Sequence, residues 1–133
     1  MTAQHLGSRV FAADPSEAKA ARRWLNDLIG SAHPAQTDAA LLLTEALSNA
    51  IKHTTSTKIE VRATTDGSHL HIDVIDEGAA TVPHVRRHSD APDNETALDG
   101  RGLLLIETLA TDYGFQRLTP GPGLRFWFSL PAI

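Results

Sequence analysis

Three polar residues spaced four apart, Glu45, Asn49 and His53, interrupt the apolar run Leu-Thr-Glu-Ala-Leu-Ser-Asn-Ala-Ile-Lys-His. That spacing places them on one stripe of a helix. A carboxylate and an amide oxygen are hard donors, suited to a magnesium ion that keeps most of its waters and shares the rest of its shell with phosphates. A solvated helix face with a Glu45–Asn49 hydrogen bond would use the same residues. A second group is Ile-Asp-Val-Ile-Asp-Glu-Gly, residues 72–78, where an alternating strand runs into Asp76-x-Gly78. A carboxylate at a strand end can accept from an exocyclic amine, and a glycine beside it lets a flat ring approach the backbone. An ordinary turn has the same composition. The third group is Gly100-Arg101-Gly102, immediately before the apolar stretch Leu103 to Leu109. Glycine-rich backbone feeding a helix N-terminus exposes N–H groups to an anion, and the helix dipole adds to the attraction. A flexible loop meeting a buried helix is the bland alternative.

The histidines offer a competing chemistry. His69 and His71 share one face of a strand and superficially suit a metal pair. Neither a third histidine nor a carboxylate is read as joining them, and an exposed sheet face accounts for both.

These residues need a scaffold, and the chain's punctuation supplies one. Asp14-Pro15-Ser16-Glu17 carries a cap, a first-position proline and an early acid. The helix it opens runs to Leu28 or Ile29, where Gly30 closes it, with Ala18, Ala21, Trp24, Leu25 and Leu28 as the apolar stripe. Ser31-Ala32-His33-Pro34 opens the long helix that holds Glu45 and Asn49. Lys58 to Thr64 and His69 to Ile75 alternate and flank Asp66-Gly67, which predicts a hairpin. Gly114 to Leu118 and Leu124 to Leu130 predict another, and Ser8 to Ala12 adds an edge strand. The expected fold is an α+β two-layer sandwich, a mixed and mostly antiparallel sheet covered on one face by helices. Residues 78–99 lack periodicity and are long for an ordered loop, which points to a functional lid or a mobile linker.

Composition narrows the classes. The 133 residues read as a single domain, 1–133, and 41% apolar with 21% charged residues describes a globular chain. A net charge of −4 with interspersed signs argues against direct nucleic-acid binding. Cysteine is absent, which excludes disulfides and thiolate metal sites. No apolar run reaches a membrane span and the start lacks a secretory pattern, so a cytoplasmic location is expected.

In order and spacing, the three polar groups together resemble the GHKL ATPase superfamily. The closest likeness is to the small anti-sigma-factor serine kinases and related actinobacterial ATP-binding regulators. Glu45-x-x-x-Asn49-Ala50-x-x-His53 matches the N box, Asp76-x-Gly78 with Pro83 the G1 box, and Gly100-Arg101-Gly102-Leu103 the G2 box. The resemblance implies the Bergerat fold, with ATP or ADP and Mg2+ held beneath a lid at 78–99. It implies that Asn49 ligates the metal and that Asp76 and Gly78 meet the adenine. Gly100, Arg101, Gly102 and Leu103 would meet the phosphates. Glu45 would be the general base of a protein serine/threonine kinase. The implied partners are a sigma factor, an anti-anti-sigma (STAS-type) protein and a second copy of the chain. A non-catalytic, nucleotide-dependent switch is the alternative, and a detached sensor-kinase domain a weaker one. Two departures stand out. Ala79-Ala80 follow Gly78 where a second glycine is usual. Gly123-Leu124 replaces a Gly-Lys or Gly-Thr pair; Arg125 is the candidate substitute cation, although a strand side chain can face either way.

Overall fold

A computed structural model describes residues 4–53, 57–76, 105–118 and 123–132. The expected lid at 78–99 lies outside these residues, as do Gly78, Gly100, Arg101, Gly102 and Leu103. Five strands form one sheet: β1 (Gln4–Ala12), β2 (Lys58–Thr65), β3 (His69–Asp76), β4 (Asp112–Leu118) and β5 (Gly123–Pro131), in the order β1-β2-β3-β5-β4. Each pairing is antiparallel, so the parallel component expected of a mixed sheet is not found among the described residues. Helices α1 (Ala18–Ile29) and α2 (Gln36–His53) pack on each other, with α1 against β1 and α2 against β3 and β5. Residues 105–109 are helical. No helix among the described residues is long and apolar enough to cross a membrane.

The strand pattern explains which face the helices cover. Ile59, Val61 and Ala63 on β2, Leu70, Ile72 and Val74 on β3, and Leu124, Phe126, Phe128 and Leu130 on β5 alternate along their strands and are all buried. Register aligns them across the sheet, with Val61 opposite Val74 and Val74 opposite Phe126. A period of two then puts them on one face, where they meet Leu25 of α1 and Leu42, Leu43 and Leu47 of α2. At the outer edge Phe11 meets Trp24 edge-on, with ring centres 6.0 Å apart.

Local signals set the helix ends. Asp14 Oδ1 accepts from Ser16 N–H at 3.0 Å over a 3-10 turn, Pro15–Glu17, that leads into α1. Gly30 ends α1 at φ +89°, with its N–H donating to the Asn26 carbonyl at 2.8 Å. Just before α2, His33 Nδ1 accepts from Ala35 N–H at 3.0 Å. The first hairpin turn rests on Asp66, whose carboxylate accepts from the N–H groups of Ser68 and His69 at 2.9 and 2.8 Å. Those two backbone donors, with the Ser68 hydroxyl, lower its pKa to about 2.

Strand β1 begins at Gln4, four residues before the expected Ser8, and an irregularity between His5 and Gly7 lets it continue. Most of this strand is exposed, so little alternation marks it in the sequence.

Candidate functional site

The inner face of the sheet is not apolar throughout. At the last residue of β3 it presents Asp76, buried and paired in register with Ile59 on one side and Leu124 on the other. Above it runs the C-terminal half of α2. Ala46 and Ala50 are too small to fill the space over the strand ends, and Asn49 lies between them on the same helix face. Asn49 and Asp76 thus line one cleft, together with the two alanines. Its apolar floor is Val74, Leu124, Phe126 and Phe115. Phe115 of β4 packs on Phe126 of β5 with centroids 4.7 Å apart and planes tilted by 46°.

Glu45 lies one helical repeat before Asn49, about 6 Å along the axis at 1.5 Å per residue, and does not line the cleft itself. Among the described residues, neither the Glu45 nor the Asn49 side chain forms a hydrogen bond or ion pair. The Glu45–Asn49 bond of the bland reading is therefore not formed. Both side chains are half-buried and sit four residues apart on one stripe of α2. An amide oxygen with no partner among the described residues fits a metal held mainly by water and phosphate. No group of three His, Cys, Asp or Glu suited to a metal exists among the described residues. His53 is the last residue of α2.

The helical residues 105–109 begin two positions after Leu103 in the sequence. Ile106 is buried in the core, and Tyr113 Oη donates to Glu107 Oε2 at 2.9 Å. Burial first, and then this carboxylate, raise the Tyr113 pKa. That bond ties the helical residues 105–109 to β4.

Arg125, the substitute cation of the sequence reading, faces away from the cleft. Leu124 and Phe126 point inward, so the residue between them points to the opposite face. There Arg125 Nε donates to Asp73 Oδ1 at 2.6 Å and Nη1 donates to Gln116 Oε1 at 2.7 Å. Sequence reasoning missed this second cluster. His71, taken there to lack a carboxylate neighbour, stands 3.2 Å from Asp73 through Nε2 and 3.0 Å from Ser129 Oγ through Nδ1. Arg125 Nη2 approaches the same Nε2 at 3.2 Å. That nitrogen holds either a proton or a lone pair, so it donates to Asp73 or accepts from Arg125, not both. Trp127 stacks on His71 at 5.3 Å and lies across Gly114, where a Cβ would meet the indole at 3.0 Å.

The signal for Asp73 was its position two residues after His71 on a strand. Burial alone would push the Asp73 carboxyl up, but His71 and Arg125 outweigh it and hold its pKa below the ordinary value. A carboxylate depressed in the folded state stabilises the fold at neutral pH and ceases to as pH falls through that lowered value. This cluster joins β3, β4 and β5 on the sheet face opposite α1 and α2.

A family model described as a histidine kinase-like ATPase domain matches residues 11–127. No curated protein matches the chain. The matched span runs from Phe11, at the end of β1, to Trp127 in β5, and so encloses the cleft and both helices.

Proposed function

The chain belongs to the histidine kinase-like ATPase domain family, and on that premise we propose that it is an ATP-binding regulatory protein kinase. It binds ATP in the cleft between α2 and the ends of β3 and β5, and it passes the γ-phosphate to a serine of a small anti-anti-sigma protein. In its other role it holds a sigma factor. The observation that carries the nucleotide reading is the convergence of Asn49 and Asp76 on one cleft with an apolar floor. Asp76 accepts from the exocyclic amine of the adenine, while Asn49 offers its amide oxygen to a phosphate-bound magnesium ion. That ion would neutralise charge on the transferring phosphoryl group. Glu45 takes the proton from the serine hydroxyl as its oxygen attacks phosphorus, and ADP leaves. The free Glu45 carboxylate, without a protein partner among the described residues, supports its role as that base.

A second reading, a nucleotide-dependent switch without phosphotransfer, is favoured by one specific observation. The described part of β5 turns Leu124 toward the cleft and Arg125 away from it, so it offers no polar group to a phosphate. Both readings share nucleotide binding, and calorimetric titration with ATP and ADP, with and without magnesium, tests them together. Saturable binding of either nucleotide is expected; no detectable binding of both overturns the two readings at once. Transfer of labelled γ-phosphate to the partner protein then separates kinase from switch.

A further inference from the structure

We propose that Ser129, on the sheet face opposite the cleft, is a nucleophilic hydroxyl that takes an acyl group from a small, uncharged activated ester or thioester. This site stands apart from the nucleotide cleft and does not depend on it.

A hydroxyl, an imidazole and a carboxylate stand there in series. Ser129 of β5 is the register partner of His71 of β3, and its Oγ lies 3.0 Å from His71 Nδ1. Across the ring, Nε2 lies 3.2 Å from Asp73 Oδ1. The three side chains share one face, because 71 and 73 are two apart on a strand and 129 is directly opposite 71. Trp127 steadies the imidazole, stacked on it at 5.3 Å with the planes 25° apart. Asp73 is held by Arg125 Nε at 2.6 Å, and Arg125 in turn donates to Gln116 at 2.7 Å. Against the burial that favours its acid form, His71 and Arg125 keep the Asp73 carboxyl ionised. The carboxylate draws the imidazole proton to Nε2, so Nδ1 turns its lone pair to the Ser129 hydroxyl and can take its proton. Arg125 Nη2 stands 3.2 Å from the same Nε2. The opposite tautomer, with Nε2 accepting from that guanidinium, would aim Nδ1–H at Ser129 and leave the hydroxyl inert.

The surroundings set the class of reaction. Ser129 is only half-buried, so a small reagent reaches it. Asp112, its register partner on β4, brings a carboxylate to the same face and disfavours anionic acyl phosphates. The strands on both sides of Ser129 pair with β5, so their backbone N–H groups serve the ladders rather than a developing oxyanion. One acylation per chain is therefore expected, without turnover. In that step the Oγ proton passes to His71 Nδ1 as Oγ bonds to the carbonyl carbon. The bond from that carbon to the leaving oxygen or sulfur breaks, the leaving group departs as its anion, and the imidazolium releases the proton to solvent.

Ser68 supplies a control within the same chain. It is also half-buried, and its Oγ lies 3.1 Å from His69 Nδ1, but among the described residues no carboxylate bonds His69 Nε2. The intact chain is treated with p-nitrophenyl acetate, and acetyl-serine is followed by mass spectrometry of the tryptic peptides 126–133, holding Ser129, and 63–86, holding Ser68. Ser129 should acetylate at least about tenfold faster than Ser68, short of the roughly 10²–10⁴ that an ideally placed base supplies. His71→Gln should bring Ser129 down to the Ser68 rate and leave Ser68 unchanged, and in urea the two serines should react alike. Equal rates in the folded wild type overturn the proposal, a comparison that needs no variant. A folded His71→Gln protein in which Ser129 keeps its advantage also overturns it, as does an advantage that survives unfolding.

Discussion

Replacing Glu45 with Gln isolates the chemical step from everything that surrounds it. The side chain is half-buried on α2, one helical repeat from Asn49, and has no hydrogen bond or ion pair among the described residues. The amide is nearly isosteric, so no cavity opens and no partner is orphaned. Fold stability should therefore change by no more than about 0.5 kcal/mol. Nucleotide affinity should hold or improve, because a negative charge is removed from the neighbourhood of a triphosphate. At an effective dielectric of about 20, two unit charges 6 Å apart interact by about 3 kcal/mol before screening and magnesium reduce it. Loss of a general base, by contrast, slows proton transfer by about 10²–10⁴, or roughly 3–5 kcal/mol of barrier. The assay is single-turnover transfer of labelled phosphate to the partner serine at saturating ATP, with affinity measured in parallel. Transfer within threefold of wild type would refute the base assignment. A drop in transfer that merely tracks a drop in ATP affinity would refute it too, since the carboxylate would then be serving binding.

Other consequences can be measured independently. Asp76→Asn replaces an acceptor with a mixed donor and acceptor beside the base; ATP affinity should fall at least about tenfold, the scale of one buried hydrogen bond to a charged group, and unchanged calorimetry would remove Asp76 from base recognition. Asp66 has a folded-state pKa of about 2 against about 3.9 unfolded, so its contribution is present above pH 4 and lost between roughly pH 4 and 2. Asp66→Asn keeps an acceptor oxygen at the turn and should flatten the fall in melting temperature over that window; a curve parallel to wild type would count against the linkage. Gly30→Ala meets no atom within 4 Å, but its φ of +89° is costly for an L side chain, and a loss of about 1–2 kcal/mol in urea melts is expected; an unshifted midpoint would show that the α1 terminus relaxes. Leu47 is fully buried between α2 and the sheet, so Leu47→Ala should cost about 2–5 kcal/mol, and a loss below 1 kcal/mol would mean the core collapses around the gap.

Much of this architecture is written in local pattern. Asp14-Pro15 and Gly30 delimit α1 because capping and positive φ are decided within a few residues. The Asp66-Gly67 hairpin is legible for the same reason. The direction of Arg125 was left open by the sequence, because a strand side chain can face either way; the burial of Leu124 and Phe126 on the inner face decides it. What local pattern does not encode is register. Asp76 meets Leu124 and Val74 meets Phe126 only because β3 pairs with β5 rather than β4, across a long stretch of intervening chain. Phe115 therefore reads as ordinary strand hydrophobicity until that pairing sets it against Phe126 at the cleft. The Asp73 cluster divides in the same way. His71 and Asp73 share a face by spacing alone, whereas their link to Arg125, Ser129 and Gln116 needs the order β3-β5-β4.

The outward turn of Arg125 also fixes how charge must be balanced in the cleft. Among the described residues that line it there is no lysine or arginine, and its one ionisable group is the Asp76 carboxylate. A second carboxylate, Glu45, waits one helical repeat away, and the chain as a whole carries −4. A triphosphate entering this setting brings like charge against like charge in a partly water-excluded site, where such repulsion costs more than in bulk solvent. Three agents can offset it on this reading: a divalent cation held through the Asn49 oxygen, the backbone N–H groups expected from the glycine-bounded segment at 100–103, and the guanidinium of Arg101, which the resemblance sets against the phosphates. Backbone dipoles carry only partial charge and a guanidinium one unit, so a divalent cation should supply the largest share. This makes the magnesium dependence of the ATP titration as informative as the binding itself. ATP should bind much more weakly when magnesium is chelated, and adding salt should recover only part of the loss, because screening acts poorly on charges already withdrawn from solvent. Full-strength ATP binding in chelator would mean that a protein cation reaches the phosphates, and would refute the assignment of charge compensation to Asn49 and its metal.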